Sequence, residues 1–276
     1  MNGFDHSILS WLNQLAQRSP GFDSAVGMLS GATFLKGGLL MSVLLWFWFG
    51  KGEEQRRHRQ VIVATAVACV LTIAVGRLLA FALPYRVRPL YNPELQFVVP
   101  YGFSASLRGW SSFPSDHAMI FATMATGLWF IRPAVGVVAH VYAVLLIAAP
   151  RVYLGLHHPT DVIAGMLLGI AFGVAFNVEP VRVALARRPL GWVERFPSAF
   201  YALGFLATIE LATMFNEMRA LATSLLAATH SAWCELRPQA GAHGCRPPVA
   251  PPLARRPLQP CELGEDVLAR DRAERN

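Results

Sequence analysis

Charge is what this sequence has least of. Only 15% of its 276 residues are Asp, Glu, Lys or Arg and 54% are hydrophobic, whereas soluble domains run near 25% charged and about 45–50% apolar. That shortage excludes an ordinary soluble domain. A soluble helical bundle would need amphipathic helices, and the apolar runs here are apolar on every side. Cysteine is also sparse. Cys69 lies in an apolar run, and Cys234, Cys245 and Cys261 are scattered without ligand spacing, so neither a metal site nor an essential disulfide is expected. No internal repeat is present, which excludes a solenoid. Despite a net charge of +7, no basic face interleaved with aromatics occurs, so a nucleic-acid partner is excluded. The opening "MNGFDHSILSWLNQLAQRSPGFD" lacks a basic start and an unbroken apolar core, and no cleaved signal is expected. Instead Ile8, Leu9, Trp11, Leu12 and Leu15 recur at helical spacing, as in a short helix lying in a membrane interface or capping a bundle.

What the chain has is apolar runs of the length needed to cross a bilayer, about 20 residues. They fall at roughly 30–50, 60–83, 115–131, 134–150, 161–178 and 197–216, the last interrupted by Glu210. The expected fold is all-α: a polytopic membrane bundle of about six membrane helices plus the short N-terminal interfacial helix. The expected organisation is that helix over 1–25, a membrane core over 26–180, a cytoplasmic loop and last apolar helix over 181–228, and a disordered tail over 229–276, rich in Pro, Ala, Arg and Gly. Lys51, Arg56, Arg57 and Arg59, then Arg132, then Arg182, Arg187, Arg188 and Arg195 fall in connections on one side. By the bias of positive charge that side is cytoplasmic. The segments 84–114 and 150–161 then face the periplasm or exterior of a cell membrane.

Three polar clusters share that outward face. "GRLLAFALPYRVRPL" carries Arg77, Arg86 and Arg88; "SSFPSDHAM" carries Ser115, Asp116 and His117; "PRVYLGLHHPTD" carries Arg151, His157, His158 and Asp161. Ionisable groups at membrane boundaries are costly and mark function by default. Arginine forks match phosphate oxygens, and the helix start near Ser115 offers free N–H groups to an anion. Histidines add what binding alone does not need, a nucleophile and a proton carrier. His157 and Asp161, four apart, share a face if the turn is helical, and the carboxylate is then placed to orient the ring. Taken singly each has a plainer role: Arg88 as a helix C-cap, Arg86 snorkelling, Asp161 as an N-cap, His117 as a polar helix start, Arg77 paired to a neighbouring helix. His158, pointing away from that pair, is read as structural. The conjunction on one face is what carries the reading.

These residues resemble the type-2 phosphatidic acid phosphatase superfamily, whose motifs are Lys-x6-Arg-Pro, Pro-Ser-Gly-His and Ser-Arg-x5-His-x3-Asp. Here they stand as Arg88-Pro89, Pro114-Ser115-Asp116-His117 and Arg151-x5-His157-x3-Asp161. "FPSDH" and "GLHHPTDVIAG" look most like the bacitracin-resistance branch, undecaprenyl-diphosphate phosphatases that act on the outer leaflet. The resemblance covers roughly 1–180. It implies a polyprenyl diphosphate or other lipid phosphate as substrate, and neither metal nor cofactor. It makes His157 the nucleophile oriented by Asp161, and His117 the proton carrier to the leaving group and then from water. Arg88, Arg151 and Ser115 hold the phosphoryl oxygens. Within the same chemistry, phosphatidate or phosphatidylglycerophosphate is the alternative substrate; a non-catalytic lipid-phosphate binder or a transporter is the alternative class. The chain departs from the motifs at Phe81, where the lysine belongs, at Asp116 for glycine and at Pro150 for serine. Arg77, one turn before Phe81, is the expected substitute for the lysine.

Overall fold

Prolines at helix starts punctuate the apolar runs, because a proline at the first helical position gives up an N–H that has no partner there anyway. The computed structural model describes residues 2–104 and 110–214. Among them the chain is helical without strands. The helices are α1 (Gly3–Asn13), α2 (Pro20–Gly31), α3 (Leu39–Phe49), α4 (Gln55–Ala82), α5 (Asp116–Ile131), α6 (Pro133–Tyr142), α7 (Ala149–Tyr153), α8 (Pro159–Asn177), α9 (Glu179–Arg195) and α10 (Pro197–Ala212). A π-helical turn, Phe34–Gly38, leads into α3, and another, Ala143–Ala148, joins α6 to α7.

Two expectations need correction. The N-terminal segment is two helices, not one over 1–25. Ser19 caps α2 by accepting from the Phe22 N–H, and Pro20 follows, so a helix starts there whatever precedes it. The stretch after 178, read as a loop, is the 17-residue α9. Pro189 inside it argues for a loop, but Arg182, Ala186, Leu190 and Val193 recur at helical spacing and are all buried. That buried stripe packs beside Trp48 of α3. The tail expected at 229–276 lies outside the described residues, as do Cys234, Cys245 and Cys261.

Helices stand at all six expected spans. α4, the run Pro133–Tyr153 and α8 are long and apolar enough to cross a bilayer, and α2 with Phe34–Phe49 makes a fourth if that pair, bent by 62°, counts as one span. Large apolar side chains face outward from them, Trp46 at 78% exposure and Leu167 at 63% among them, as lipid contact requires. This is a membrane protein. α5 is shorter, and every residue from Ala118 to Leu128 is buried, because α4, α6 and α8 pack around it. Gly165, Gly169 and Gly173 form one ridge of α8 pressed on α5. A Cβ at Gly165 would lie 2.7 Å from the Ser115 carbonyl oxygen. Small residues four apart let two membrane helices approach this closely.

The end of α4, the start of α5, the end of α7 and the start of α8 converge on one end of this core. All three polar clusters are there.

Candidate active site

Three loop segments are laced together by backbone hydrogen bonds. Leu90 N donates to Gly155 O at 2.9 Å, Ser112 N to Arg86 O at 2.9 Å, and Ser115 N to Asp161 O at 3.2 Å. Gly155 sits at φ +67, and a Cβ there would lie 2.7 Å from the Phe97 ring, so the turn between α7 and α8 requires glycine on both counts. Sequence motifs far apart in the chain thereby present side chains to a common space.

His157 is buried in that turn. Its Nδ1 lies 2.7 Å from the Ser112 carbonyl oxygen, which can only accept, so Nδ1 carries the proton. Nε2 is left with its lone pair and accepts from Arg88 Nη1 at 3.3 Å. Burial, then the charges of Arg88 and Arg151, hold the imidazole well below its ordinary pKa of 6.5. The ring is therefore neutral and nucleophilic at Nε2 at physiological pH.

Arg88 is buried and donates to Leu156 O at 2.5 Å and Ser111 O at 3.2 Å. Arg151, at the end of α7, donates to Ser30 O at 3.3 Å and to His117 Nε2. The Nε atoms of both arginines, and the hydroxyls of Ser112 and Ser115, are buried with no hydrogen-bond partner among the described residues. Buried donors are normally satisfied. Four unmet ones around a neutral histidine describe a place for an oxyanion.

Several expected roles change. Asp161 does not orient His157. The turn before α8 is not helical, and Asp161 is the third residue of α8. Its carboxylate accepts from His158 N at 2.8 Å in a capping box and pairs with Arg86. The orienting acceptor is the Ser112 carbonyl, which no side-chain pattern could reveal. Arg86 does not snorkel: it bridges Asp161 and Asp5, the latter at 2.6 Å, and donates to Thr160 Oγ1 at 3.0 Å. His158 is structural, as expected, with Nε2 3.0 Å from Val87 O. Arg77 is ion-paired to Asp116 and lies 5.0 Å over the Trp110 ring, rather than taking the place of the missing lysine. Phe81 is 79% exposed and faces away.

Asp5 had no signal in the sequence, yet it is fully buried and accepts from Thr160 N at 2.9 Å and Oγ1 at 2.7 Å as well as from Arg86. Burial works to raise its pKa, but the Thr160 and Arg86 hydrogen bonds outweigh it and the carboxyl is held low.

The charges thus sort into two sets. Asp116 has Arg77, and Asp5 and Asp161 share Arg86, while the buried Asp23 accepts from the Tyr153 hydroxyl and the Gln17 and Tyr101 N–H groups. Arg88 and Arg151 have no carboxylate partner among the described residues. Two buried guanidiniums with no carboxylate in contact, only the more distant charges of Asp116 and Asp161, are expensive unless an anion joins them. No His, Cys, Asp and Glu cluster able to hold a metal ion occurs among the described residues.

Residues 62–182 match the PAP2 superfamily. YbjG of Escherichia coli (strain K12), provisionally named an undecaprenyl-diphosphatase, is 33% identical over 154 residues, 54% of this chain and 71% of that protein. The undecaprenyl-diphosphatase of Sulfolobus acidocaldarius is 31% identical over 114 residues, 41% of this chain, which spans about half of that protein's length (52%). The lipid A 1-diphosphate synthase of Escherichia coli (strain K12) is 25% identical over 177 residues, 62% of this chain and 73% of that protein. The matched segment holds both histidines, both arginines that lack a carboxylate in contact and the glycine ridge that joins them, and by these likenesses the chain belongs to the PAP2 superfamily.

Proposed function

We propose that this PAP2-superfamily phosphatase hydrolyses a polyprenyl diphosphate of the undecaprenyl class to the monophosphate, through a phosphohistidine at His157, on the outer face of a cell membrane. One observation carries the reading: the Nε2 lone pair of a neutral, buried His157 faces Arg88 and feels the charge of Arg151, and neither arginine has a carboxylate in contact among the described residues. Arg88, Arg151 and Ser115 receive the terminal phosphoryl oxygens, where fixed donors stabilise the charge that develops in transfer. His157 Nε2 attacks phosphorus, the bridging oxygen leaves with the lipid phosphate, and His117 activates the water that releases inorganic phosphate. Asp161 acts at one remove, fixing the start of α8 and with it the turn that holds His157. No step calls on a metal.

The substrate class is supported by the names of the YbjG and Sulfolobus relatives. The orientation is supported by Arg57 and Arg132, which stand at the ends of α4 and α5 opposite the site, and by the basic residues of α9. The test is phosphate release by detergent-purified protein with chelator present, comparing undecaprenyl diphosphate with phosphatidate. Release from the diphosphate, reduced by at least about 10⁴-fold in His157→Ala, is the expected result. Faster release from phosphatidate would move the substrate to a phosphatidate-type lipid, and release unaffected by the substitution would remove His157 as the nucleophile.

A further inference from the structure

A lysine does reach the site, from an element that the first family motif does not include. Lys36 lies in the π-helical turn Phe34–Gly38, just past the 62° bend between α2 and the following run. Its Nζ donates to Ser30 O at 2.7 Å, and the same carbonyl oxygen accepts from Arg151 Nη2 at 3.3 Å. The two cationic nitrogens are therefore separated by no more than those two bonds combined, about 6.0 Å. Lys36 has no carboxylate partner among the described residues, and neither has Arg151. Like charges placed this close, with no carboxylate in contact and only the Ser30 carbonyl oxygen shared between them, favour an anion beside them. Arg77, by contrast, already has Asp116.

The hydrogen bonds also give Lys36 a side. Arg88 serves His157, while Arg151 serves His117, and Lys36 shares its acceptor with Arg151 only. We propose that Lys36 binds the lipid-proximal phosphate of a diphosphate substrate and so sets a preference for diphosphates over monophosphates. The proposal rests on His157 being the nucleophile. The N–P bond forms from Nε2 to the terminal phosphorus as the bridging P–O bond breaks, and the electron pair stays on the departing lipid phosphate. His117 Nε2 accepts from the Arg151 guanidinium, so that nitrogen has no proton to give in this step. The Lys36 ammonium stabilises the departing charge instead. In the second step the Arg151 N–H turns from His117 to the phosphoryl oxygens, His117 Nε2 takes a proton from water as its oxygen attacks phosphorus, and Nε2 of His157 leaves with its electron pair. A monophosphate ester places no phosphate opposite Lys36.

The experiment is kcat/KM of wild type, Lys36→Met and Lys36→Arg on undecaprenyl diphosphate and on phosphatidate, with inhibition constants for inorganic pyrophosphate and phosphate on phosphatidate hydrolysis. Lys36→Met is expected to lose roughly 10–100-fold on the diphosphate, the range for one hydrogen bond to a charged group. Phosphatidate hydrolysis stays within about 3-fold, and Lys36→Arg recovers most of the loss. Pyrophosphate inhibition weakens in Lys36→Met while phosphate inhibition does not. Equal losses on both lipids, or an unchanged pyrophosphate constant, would overturn the assignment. A wild type inactive on the diphosphate, with the pyrophosphate effect intact, would overturn the substrate reading and leave Lys36 as a diphosphate contact.

Discussion

At the scale of single residues, the chemistry rests on His157, which is buried, neutral and aimed by a backbone carbonyl. The spacing Arg151-x5-His157-x3-Asp161 marked an anion site, and those side chains do gather. Which group orients which depends on backbone carbonyls, and Ser112 O, the acceptor for His157 Nδ1 at 2.7 Å, is invisible to any reading of side chains. Two predictions belong here. Because burial and Arg88 depress the His157 pKa, the folded state binds its proton less readily than the unfolded chain. Its neutral form persists below pH 6.5, and its contribution to stability falls as pH drops beneath that value. Ring ¹⁵N spectra should place its titration below 6.5 in wild type and higher in Arg88→Met, since one cause of the depression is gone. A midpoint at or above 6.5 in wild type would contradict the assignment. The second concerns Arg77 and Asp116, which pair with each other. Arg77→Met and Asp116→Asn together should cost less in thermal stability than the sum of the single changes, because each alone strands a partly buried charge. Additive losses would show the pair to be uncoupled.

At the scale of elements, apolar run length located helices at the six expected positions, since lipid leaves the backbone no alternative to helix. Among the described residues three of these runs, or four with the bent pair, are long and apolar enough to cross a bilayer. α9 was missed because Arg182, Arg187, Arg188 and Arg195 mark a charged connection, while the signal that mattered was the burial of Ala186, Leu190 and Val193 at helical spacing. The break between α1 and α2 was written in Ser19-Pro20. Glycine spacing in "AGMLLGIAFG" set the crossing of α8 on α5, and that crossing holds Ser115 N against Asp161 O at 3.2 Å. A Cβ at Gly169 would meet the Met119 carbonyl and lie 3.0 Å from the Ala122 Cβ. Gly169→Ala is therefore expected to destabilise by about 1–3 kcal/mol, as overpacking of a tight interface does, and to lower kcat, read by thermal unfolding in detergent and by turnover. Gly191, with nothing within 4 Å of its Cβ position, is the control: Gly191→Ala should leave both unchanged. Equal effects at the two glycines would argue against the ridge.

At the scale of the whole molecule, the fold brings one end of four helices together and closes it with the N-terminal helices. Asp5 ties α1 to Arg86 and Thr160, and Asp23 ties α2 to Tyr153 and to the Tyr101 N–H at 2.8 Å. Nothing in the sequence announces two buried carboxylates in a segment that reads as an interfacial helix, because all of these partners except the Gln17 N–H lie more than 70 positions away. The account makes these ties structural and the arginine–histidine cluster chemical. Its central claim is a covalent phosphoryl group on one histidine, and the most direct measurement is to trap it. Purified protein would be mixed with undecaprenyl diphosphate labelled in the terminal phosphate and quenched in alkali within the first turnover. The account expects acid-labile, alkali-stable label on the peptide containing His157, none in His157→Ala, and label that accumulates in His117→Ala. Label on another residue, or turnover with no labelled protein at any quench time, would contradict it.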